Sequence, residues 1–133
     1  MQRMTGSRIA VDTNVAIDIL NAEPQASKFI QTYATVCLPV PVVGELRFGA
    51  LKSARKEENL EKVERLIALC EVLGASEQTA ARYAEIRYQL RQIGRPIPEN
   101  DLWIAAICVE QQVPLATNDA HFTSIAELTI VRV

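Results

Sequence analysis

Several residue types are scarce in this sequence, and their scarcity excludes whole classes of protein. The chain contains one histidine and three cysteines, Cys37, Cys70 and Cys108, and no two of the cysteines form a CxxC pair. The single histidine, His121, cannot build a zinc site alone, and the odd number and wide spacing of the cysteines favour a reducing compartment over a disulfide-bonded fold. No segment approaches the roughly 18 uninterrupted apolar residues that a membrane helix needs. These absences predict a cytoplasmic protein.

Neither sign of charge dominates the composition. The 14 Lys and Arg residues are balanced by 16 Asp and Glu residues, which leaves a net charge of -2. The chain therefore lacks the basic field of a non-specific nucleic-acid binder, and any contact with nucleic acid must be local. The start of the chain is basic, but the apolar run behind it, residues 9–11, is too short for a signal peptide. The length of 133 residues predicts a single domain over residues 1–133.

Short apolar runs alternate with longer segments of helical period, which is typical of βα units around a parallel sheet. Residues that cap or end helices separate the segments, such as Asp12 before the first helix and Gly94 after the longest. The predicted strands cover residues 9–11, 35–38, 70–73, 114–117 and 128–133. The predicted helices cover residues 15–20, 24–33, two segments within 42–69, 76–94 and an apolar segment beginning near 99–101.

The acidic residues fall into two groups. Most lie on solvated faces, as do the glutamates within residues 57–64, which alternate with basic residues at helical spacing. Four others follow a predicted strand or begin an apolar helix: Asp12, Glu45, Asp101 and Asp119. Each of the four also has a purely structural explanation. Asp12 and Asp101 suit helix N-caps, Asp119 suits a turn, and Glu45 suits a solvated surface.

The position of these four acids suggests that they meet. Ligands of parallel α/β sheets bind outside the carboxyl ends of the strands, where Asp12 and Asp119 are predicted to lie. Two like charges about 4 Å apart repel by about 4 kcal/mol at an effective dielectric constant of about 20, so a four-carboxylate pocket requires a cation. No Lys or Arg is adjacent to Asp12, Asp101 or Asp119, although Arg47 lies near Glu45. Oxygen ligands favour Mg²⁺ or Mn²⁺, and such a site suits phosphodiester hydrolysis.

The four acids stand in short motifs. These are Asp12-Thr13-Asn14 after the first strand, Glu45 in Val43-Gly44-Glu45-Leu46-Arg47-Phe48-Gly49, Asp101 in Asn100-Asp101-Leu102-Trp103-Ile104-Ala105-Ala106, and Thr117-Asn118-Asp119 after a late strand. Together they resemble the acidic signature of PIN-domain ribonucleases, and in particular of the VapC-type toxins of type II toxin-antitoxin pairs. The resemblance covers nearly the whole chain in order, and no acidic position departs from the family pattern.

This resemblance carries expectations for fold, activity and partners. It implies a central parallel sheet of about five strands with helices on both faces. It also implies a metal-dependent endoribonuclease that uses metal-activated water, forms a homodimer and is inhibited by a cognate antitoxin. Asp12 and Asp101 would be the principal ligands of Mg²⁺ or Mn²⁺, Asp119 would complete the set, and Glu45 would act directly or through water. The residues expected to orient the carboxylates or touch phosphate are Thr13, Asn14, Thr117 and Asn118.

Other residues permit both a functional and a structural interpretation. Arg87, Arg91 and Arg95 recur every fourth residue before Asp101, which suits either a guide for the RNA backbone or a solvated helix face. His121 suits a proton donor, a phosphate contact or a structural residue in a turn. The helical segments 42–69 and 24–33 carry more apolar positions than a small domain obviously needs, so they form either an antitoxin surface or an internal core.

Two other functions compete with the nuclease. A receiver-like phosphoacceptor also holds Mg²⁺ on acids at strand ends, but it needs an acidic pair after the first strand and a late lysine. Here Val11 precedes Asp12, and the last lysine is Lys62. The third possibility is a PIN-like scaffold that binds RNA or a partner without cleaving RNA.

Overall fold

A computed structural model describes residues 4–133, with side chains from residue 7 onward. The first three residues of the basic N-terminal stretch lie outside the described residues. Strands and helices alternate along the described chain, as the apolar pattern predicts. The strands are β1 (Met4–Val11), β2 (Tyr33–Pro39), β3 (Glu71–Leu73), β4 (Leu115–Ala116) and β5 (Ile130–Val131). The helices are α1 (Thr13–Leu20), α2 (Pro24–Ile30), α3 (Val40–Leu51), α4 (Lys56–Leu69), α5 (Glu77–Gln92) and α6 (Glu99–Gln111).

The five strands form one parallel sheet in the order β3-β2-β1-β4-β5. Ile9, Ala10 and Val11 of the central strand β1 are each fully buried. Because successive residues of a strand point to opposite faces of the sheet, helices must cover both faces. The predicted three-layer α/β fold is confirmed.

Local signals explain where the helices begin and end. Ser76 caps α5 in a capping box with Thr79, and Gly94 follows the helix with a φ of +69°, which glycine adopts without strain. Pro98 directly precedes α6, whose residues from Leu102 to Cys108 are almost all buried, as their apolar character predicts. All three cysteines are free.

Several predicted boundaries are shifted in the structure. The helix expected over residues 24–33 ends at Ile30, because Tyr33 already pairs with β1 as the first residue of β2. The last strand is shorter than predicted and covers only Ile130–Val131. The turn considered for Asp119 and His121 is a 3-10 helix over Ala120–Ser124, at whose start the side chain of Asp119 accepts a hydrogen bond from the backbone N–H of His121. Among residues 4–133, no helix combines the length and apolarity needed to cross a bilayer.

The order in which strands are added to the sheet reverses direction at β1. The chain moves from β1 to β2 and β3 on one side and then returns to β4 and β5 on the other. Val11 is in register with Ala116, so the loops after β1 and β4 leave the sheet side by side. In doubly wound sheets this topological switch point is where ligands bind.

Candidate functional site

Asp12 follows β1 at the switch point and is only 5% exposed. It caps α1, because its Oδ1 accepts a hydrogen bond of 2.9 Å from the backbone N–H of Val15. Its Oδ2 accepts a hydrogen bond from the hydroxyl of Thr117. Burial raises the pKa of the Asp12 carboxyl, while these hydrogen bonds act in the opposite direction. Asp12 therefore both caps α1 and lies at the site, two roles that the sequence left as alternatives.

Thr117 and Asp119 organise the end of β4. Thr117 is buried, and its hydroxyl accepts a 3.0 Å hydrogen bond from the backbone N–H of Asp119 while donating to Asp12. The carboxylate of Asp119 in turn accepts a 2.9 Å hydrogen bond from the backbone N–H of His121. Asp119 is thus both a turn residue and a neighbour of Asp12.

Asp101 lies in the first turn of α6 and is partly buried. The N-cap position belongs to Pro98 and has no side-chain hydrogen bond, so the expectation that Asp101 could be an N-cap is wrong. Burial raises the pKa of the Asp101 carboxyl, and the charges of Asp119 and Asp12 raise it further, whereas a hydrogen bond with His121 lowers it. Asp101 therefore faces other carboxylates rather than a helix end.

Glu45 is exposed on α3, and one of its oxygens accepts a hydrogen bond from the side-chain amide of Asn100. Arg47 does not neutralise Glu45, because it forms two hydrogen bonds of 2.8 and 3.0 Å with Glu64. Asn100 was missed as a site residue, although its position beside Asp101 at the start of an apolar helix was a usable signal. It connects α6 to the acidic residue of α3.

The four predicted carboxylates line one open pocket. Its walls are Asp12, Thr13, Asn14, Glu45, Pro98, Asn100, Asp101 and Asp119. No Lys or Arg stands among these lining residues. In the part of the chain with described side chains, the one basic group paired with these acids is His121. An anionic pocket of oxygen donors with so little internal compensation fits a divalent cation such as Mg²⁺ or Mn²⁺.

Asn118 does not line the four-carboxylate pocket. It lines a smaller neighbouring recess that it shares with Asn14, Asp18 and two of the acids. Its Oδ1 accepts a 3.0 Å hydrogen bond from the backbone N–H of Val133. The contacts of Asn118 therefore fix the segment after β5 rather than a carboxylate.

The predicted arginine stripe is only partly an open basic surface. The Arg87 guanidinium donates a 2.9 Å hydrogen bond to the hydroxyl of Tyr83, which itself donates to Glu99. Arg87 and Arg91 line a recess between α5 and α6, whereas Arg95 is exposed beyond its lining. Trp103 stacks on the ring of Tyr83 at 4.1 Å between centroids, so it packs within the protein instead of being free to stack on a base.

A receiver-like fold is ruled out by the strand order. In receiver-like sheets the third strand lies beside the first, whereas here β4 lies beside β1 and β3 forms an edge. The model of the PIN-domain family instead matches residues 9–128. The chain therefore belongs to the PIN-domain family.

Its relatives within this family are VapC proteins. Ribonuclease VapC2 of Rickettsia felis is 29% identical over 113 residues, which cover 82% of this chain and 84% of the relative. The tRNA(fMet)-specific endonuclease VapC of Salmonella typhimurium is 30% identical over 114 residues, or 84% of this chain and 86% of that protein. The structure of VapBC2 from Rickettsia felis bound to a promoter DNA fragment superposes with a TM-score of 0.86 at 27% identity, covering 94% and 98% of the two chains. The resemblance to VapC-type PIN toxins is confirmed.

Proposed function

We propose that this protein is the endoribonuclease toxin of a toxin-antitoxin pair and that it hydrolyses RNA phosphodiesters with Mg²⁺ or Mn²⁺. The observation that carries the proposal is the pocket of four carboxylates at the switch point, lined by no Lys or Arg. A divalent ion there would supply Lewis acidity and activate water for attack on phosphorus. Among the known relatives, the names ribonuclease and endonuclease support the same reaction class.

The contacts of each acid suggest its role. Asp12 and Asp101 are the most buried of the four, and we assign them as the principal ligands. Asp119 completes the set from the adjacent loop. Glu45 is exposed and reaches the pocket from α3, so it can act directly or through water. Thr117 holds the carboxylate of Asp12 in place by its hydrogen bond.

The remaining supporting residues divide by location. Thr13 and Asn14 line the pocket, where they can touch phosphate or a ligand water. Asn118 supports the site indirectly, since it fixes the chain after β5 beside the loop that carries Asp119. Under these assignments, the first turn of α1 lies closer to the substrate than Asn118 does.

The recess between α5 and α6 is the proposed path of the RNA backbone. Arg87 and Arg91 line it together with Pro96, Ile97 and Glu99, and Pro98, which lies between Ile97 and Glu99 in the chain, lines the carboxylate pocket. The recess and the pocket therefore adjoin through one short segment. Phosphate contacts of this kind supply affinity without reading sequence. The name of the Salmonella relative makes tRNA(fMet) the first substrate to test.

The antitoxin is proposed to bind a groove on the other side of Glu45. The groove lies between three helices and is lined by Ile17 and Leu20 of α1, by Glu45, Leu46, Gly49 and Ala50 of α3, and by Asn59, Lys62 and Val63 of α4. Segment 42–69, considered as an antitoxin surface from the sequence, supplies much of this lining, whereas α2 contributes no residue to it. Glu45 also lines the carboxylate pocket, so a chain lying in the groove reaches the edge of the site. The VapBC complex of Rickettsia felis supports a partner of this type.

A homodimer is the remaining proposed assembly. Large apolar side chains stay exposed on helices, including Phe48 at 57%, Leu51 at 51% and Tyr88 at 66%. Light scattering of the purified chain without antitoxin measures its mass directly. Twice the monomer mass is the expected result, and a monomer at all concentrations contradicts it.

The central experiment is RNA cleavage by antitoxin-free protein. We expect cleavage of tRNA in Mg²⁺ or Mn²⁺, none in EDTA, and restored cleavage when the ion is returned. Asp101→Asn should be inactive while folded by circular dichroism, and Glu61→Gln, which changes a paired acid of α4, should cleave like wild type. Cleavage that survives EDTA would contradict the metal mechanism. RNA binding without cleavage under all conditions would support a PIN scaffold instead.

A further inference from the structure

The imidazole of His121 lies between two carboxylates of the pocket. Its Nδ1 atom is 3.1 Å from Oδ2 of Asp101 and 3.2 Å from Oδ1 of Asp119. One ligand atom from each of these three side chains lies within 4.8 Å of the others. The four-carboxylate set of the proposed function gives this nitrogen no role.

The backbone that carries the imidazole is well fixed. Phe122, the next residue, is 1% exposed and anchors the 3-10 turn in the core. The backbone N–H of His121 donates to Asp119, and the backbone N–H of Asp119 donates to Thr117. The residues that place the carboxylates at the end of β4 therefore also place the imidazole.

The spacing of these atoms matches the spacing of ligands around one ion. Mg²⁺ and ions of similar size hold ligands at about 2.1 Å in an octahedron, so neighbouring ligand atoms are about 3.0 Å apart and opposite ones about 4.2 Å apart. The two distances from Nδ1 are close to the separation of neighbouring ligands. An ion held by Asp101 and Asp119 could thus accept Nδ1 without rearrangement of the turn.

We propose that Nδ1 of His121 is a direct ligand of the divalent ion, and that this nitrogen makes the site prefer Mn²⁺ to Mg²⁺. The chemical reason is that Mg²⁺ favours an all-oxygen shell, whereas imidazole is a good ligand for transition metals. The inference rests on the proposed function, because it concerns the ion that this function requires.

The chain has one histidine, so ligation can be measured without assignment ambiguity. Tag-free protein is loaded with less than one equivalent of Mn²⁺ at about pH 8, because imidazole binds metals in its neutral form. Pulsed electron paramagnetic resonance then detects nitrogen hyperfine coupling from a coordinated imidazole. We expect this coupling in wild type and its loss in His121→Asn. Bound Mn²⁺ without nitrogen coupling in wild type overturns the proposal.

Three variants then test metal preference by equilibrium titration with Mn²⁺ and with Mg²⁺. His121→Phe keeps a ring but removes the donor, and we expect it to weaken Mn²⁺ binding by about 10-fold or more. His121→Asn places an amide oxygen near the position of Nδ1, so it should bind Mg²⁺ well while losing the preference for Mn²⁺. Thr123→Ala is the matched control, since Thr123 is exposed on the same turn and its hydroxyl donates only to the carbonyl of Ala120. If both His121 variants bind Mn²⁺ and Mg²⁺ with the same affinities as Thr123→Ala, the proposal is overturned.

Failure of this inference and failure of the proposed function give different results. If Asp101→Asn abolishes Mn²⁺ binding while both His121 variants bind like wild type, the acidic site stands and the role of His121 is wrong. If wild type binds neither ion, both proposals are wrong. Circular dichroism of each variant shows that the comparison is made between folded proteins.

Discussion

Two regions of this molecule are rich in acid, and they treat negative charge in opposite ways. On α4, two glutamates have close arginine partners: Glu61 lies 2.7 Å from Arg65, and Glu64 lies 2.8 Å from Arg47. In the pocket at the switch point, four acids come from four separate segments, and among the side chains described from residue 7 onward only the imidazole of His121 forms an ion pair with any of them, namely Asp101 and Asp119. The number of acids therefore does not distinguish a site from a surface, whereas the lack of compensation does.

The pKa shifts in the two regions have opposite directions. A hydrogen bond from Arg47 lowers the pKa of the exposed Glu64 carboxyl. Burial raises the pKa of the Asp12 and Asp101 carboxyls. The folded protein alone therefore stabilises the charged form of these two carboxyls poorly. Carboxyl groups with raised pKa values are frequent at functional sites, where a bound ion or substrate compensates the negative charge.

Removing one charge from each region should give the largest contrast. We expect Asp12→Asn to lower RNA cleavage by more than about 100-fold, because it removes one of the two proposed principal ligands of the ion. Glu64→Gln should leave the cleavage rate unchanged, because it only breaks an exposed ion pair. Initial rates at saturating Mg²⁺ measure both. Equal losses in the two variants would mean that the charge of the whole molecule, not the pocket, drives the reaction.

Asn100→Ala tests how the exposed member of the pocket is positioned. Loss of the hydrogen bond to Glu45 should lower cleavage by about 10-fold, as expected for a residue that orients a reacting group. The matched control is Gln111→Ala, which removes an amide at the other end of α6 that donates to the carbonyl of Gly74. The loss should appear in kcat rather than KM. An unchanged kcat would show that Glu45 needs no support from α6.

Asp12 combines a charge with a helix cap, and two substitutions separate these properties. Asp12→Asn keeps an oxygen that can accept from Val15, whereas Asp12→Ala removes it. In metal-free buffer we expect the alanine variant to be less stable than the asparagine variant by about 1 kcal/mol. Relief of repulsion should leave Asp12→Asn at least as stable as wild type. Chemical denaturation measures both differences, and equal stability of the two variants would contradict the capping role.

The pH dependence of stability should differ in sign between the regions. Because the folded-state pKa of Asp101 is raised, its contribution favours folding at low pH and is lost as pH rises through that pKa. In EDTA, wild type should gain stability relative to Asp101→Asn as pH falls from 7 toward the ordinary aspartate value of 3.8. The comparison with Glu64→Gln should have the opposite sign, because the lowered pKa of Glu64 favours folding above its ordinary value of 4.5. Wild type should therefore lose stability relative to Glu64→Gln as pH falls below that value. A wild type that loses stability relative to Asp101→Asn on acidification would refute the shift.

The sequence predicts the acids of the pocket better than their partners. Asp12 and Asp119 follow apolar strands, and parallel strands bring their carboxyl ends to one edge, so their proximity could be expected. The signals for their partners are weaker, since Asn100 is marked only by its place beside Asp101 and nothing local indicates the direction of the His121 ring. Asn100 donates to a residue 55 positions away, and the direction of the His121 ring depends on a 3-10 turn that no apolar period indicates.

The fold shows the same limit. The alternation of apolar runs predicts all five strands and the α3–α4 hairpin, because burial depends on period and length. The place of α1 in the groove depends on how helices pack, which the period does not specify. Arg47 lies two residues from Glu45 along the chain but pairs with Glu64 across the hairpin. Neighbours along a helix can thus face different partners.

Glu45 borders both the groove and the carboxylate pocket. A substitution of Glu45 that weakened antitoxin binding would also lower the RNA cleavage that the antitoxin inhibits. Under the proposed function, escape from the antitoxin and loss of catalytic activity are therefore linked in one side chain. Selection for a freely active toxin would have to act at groove residues further from the pocket, such as Val63 or Lys62.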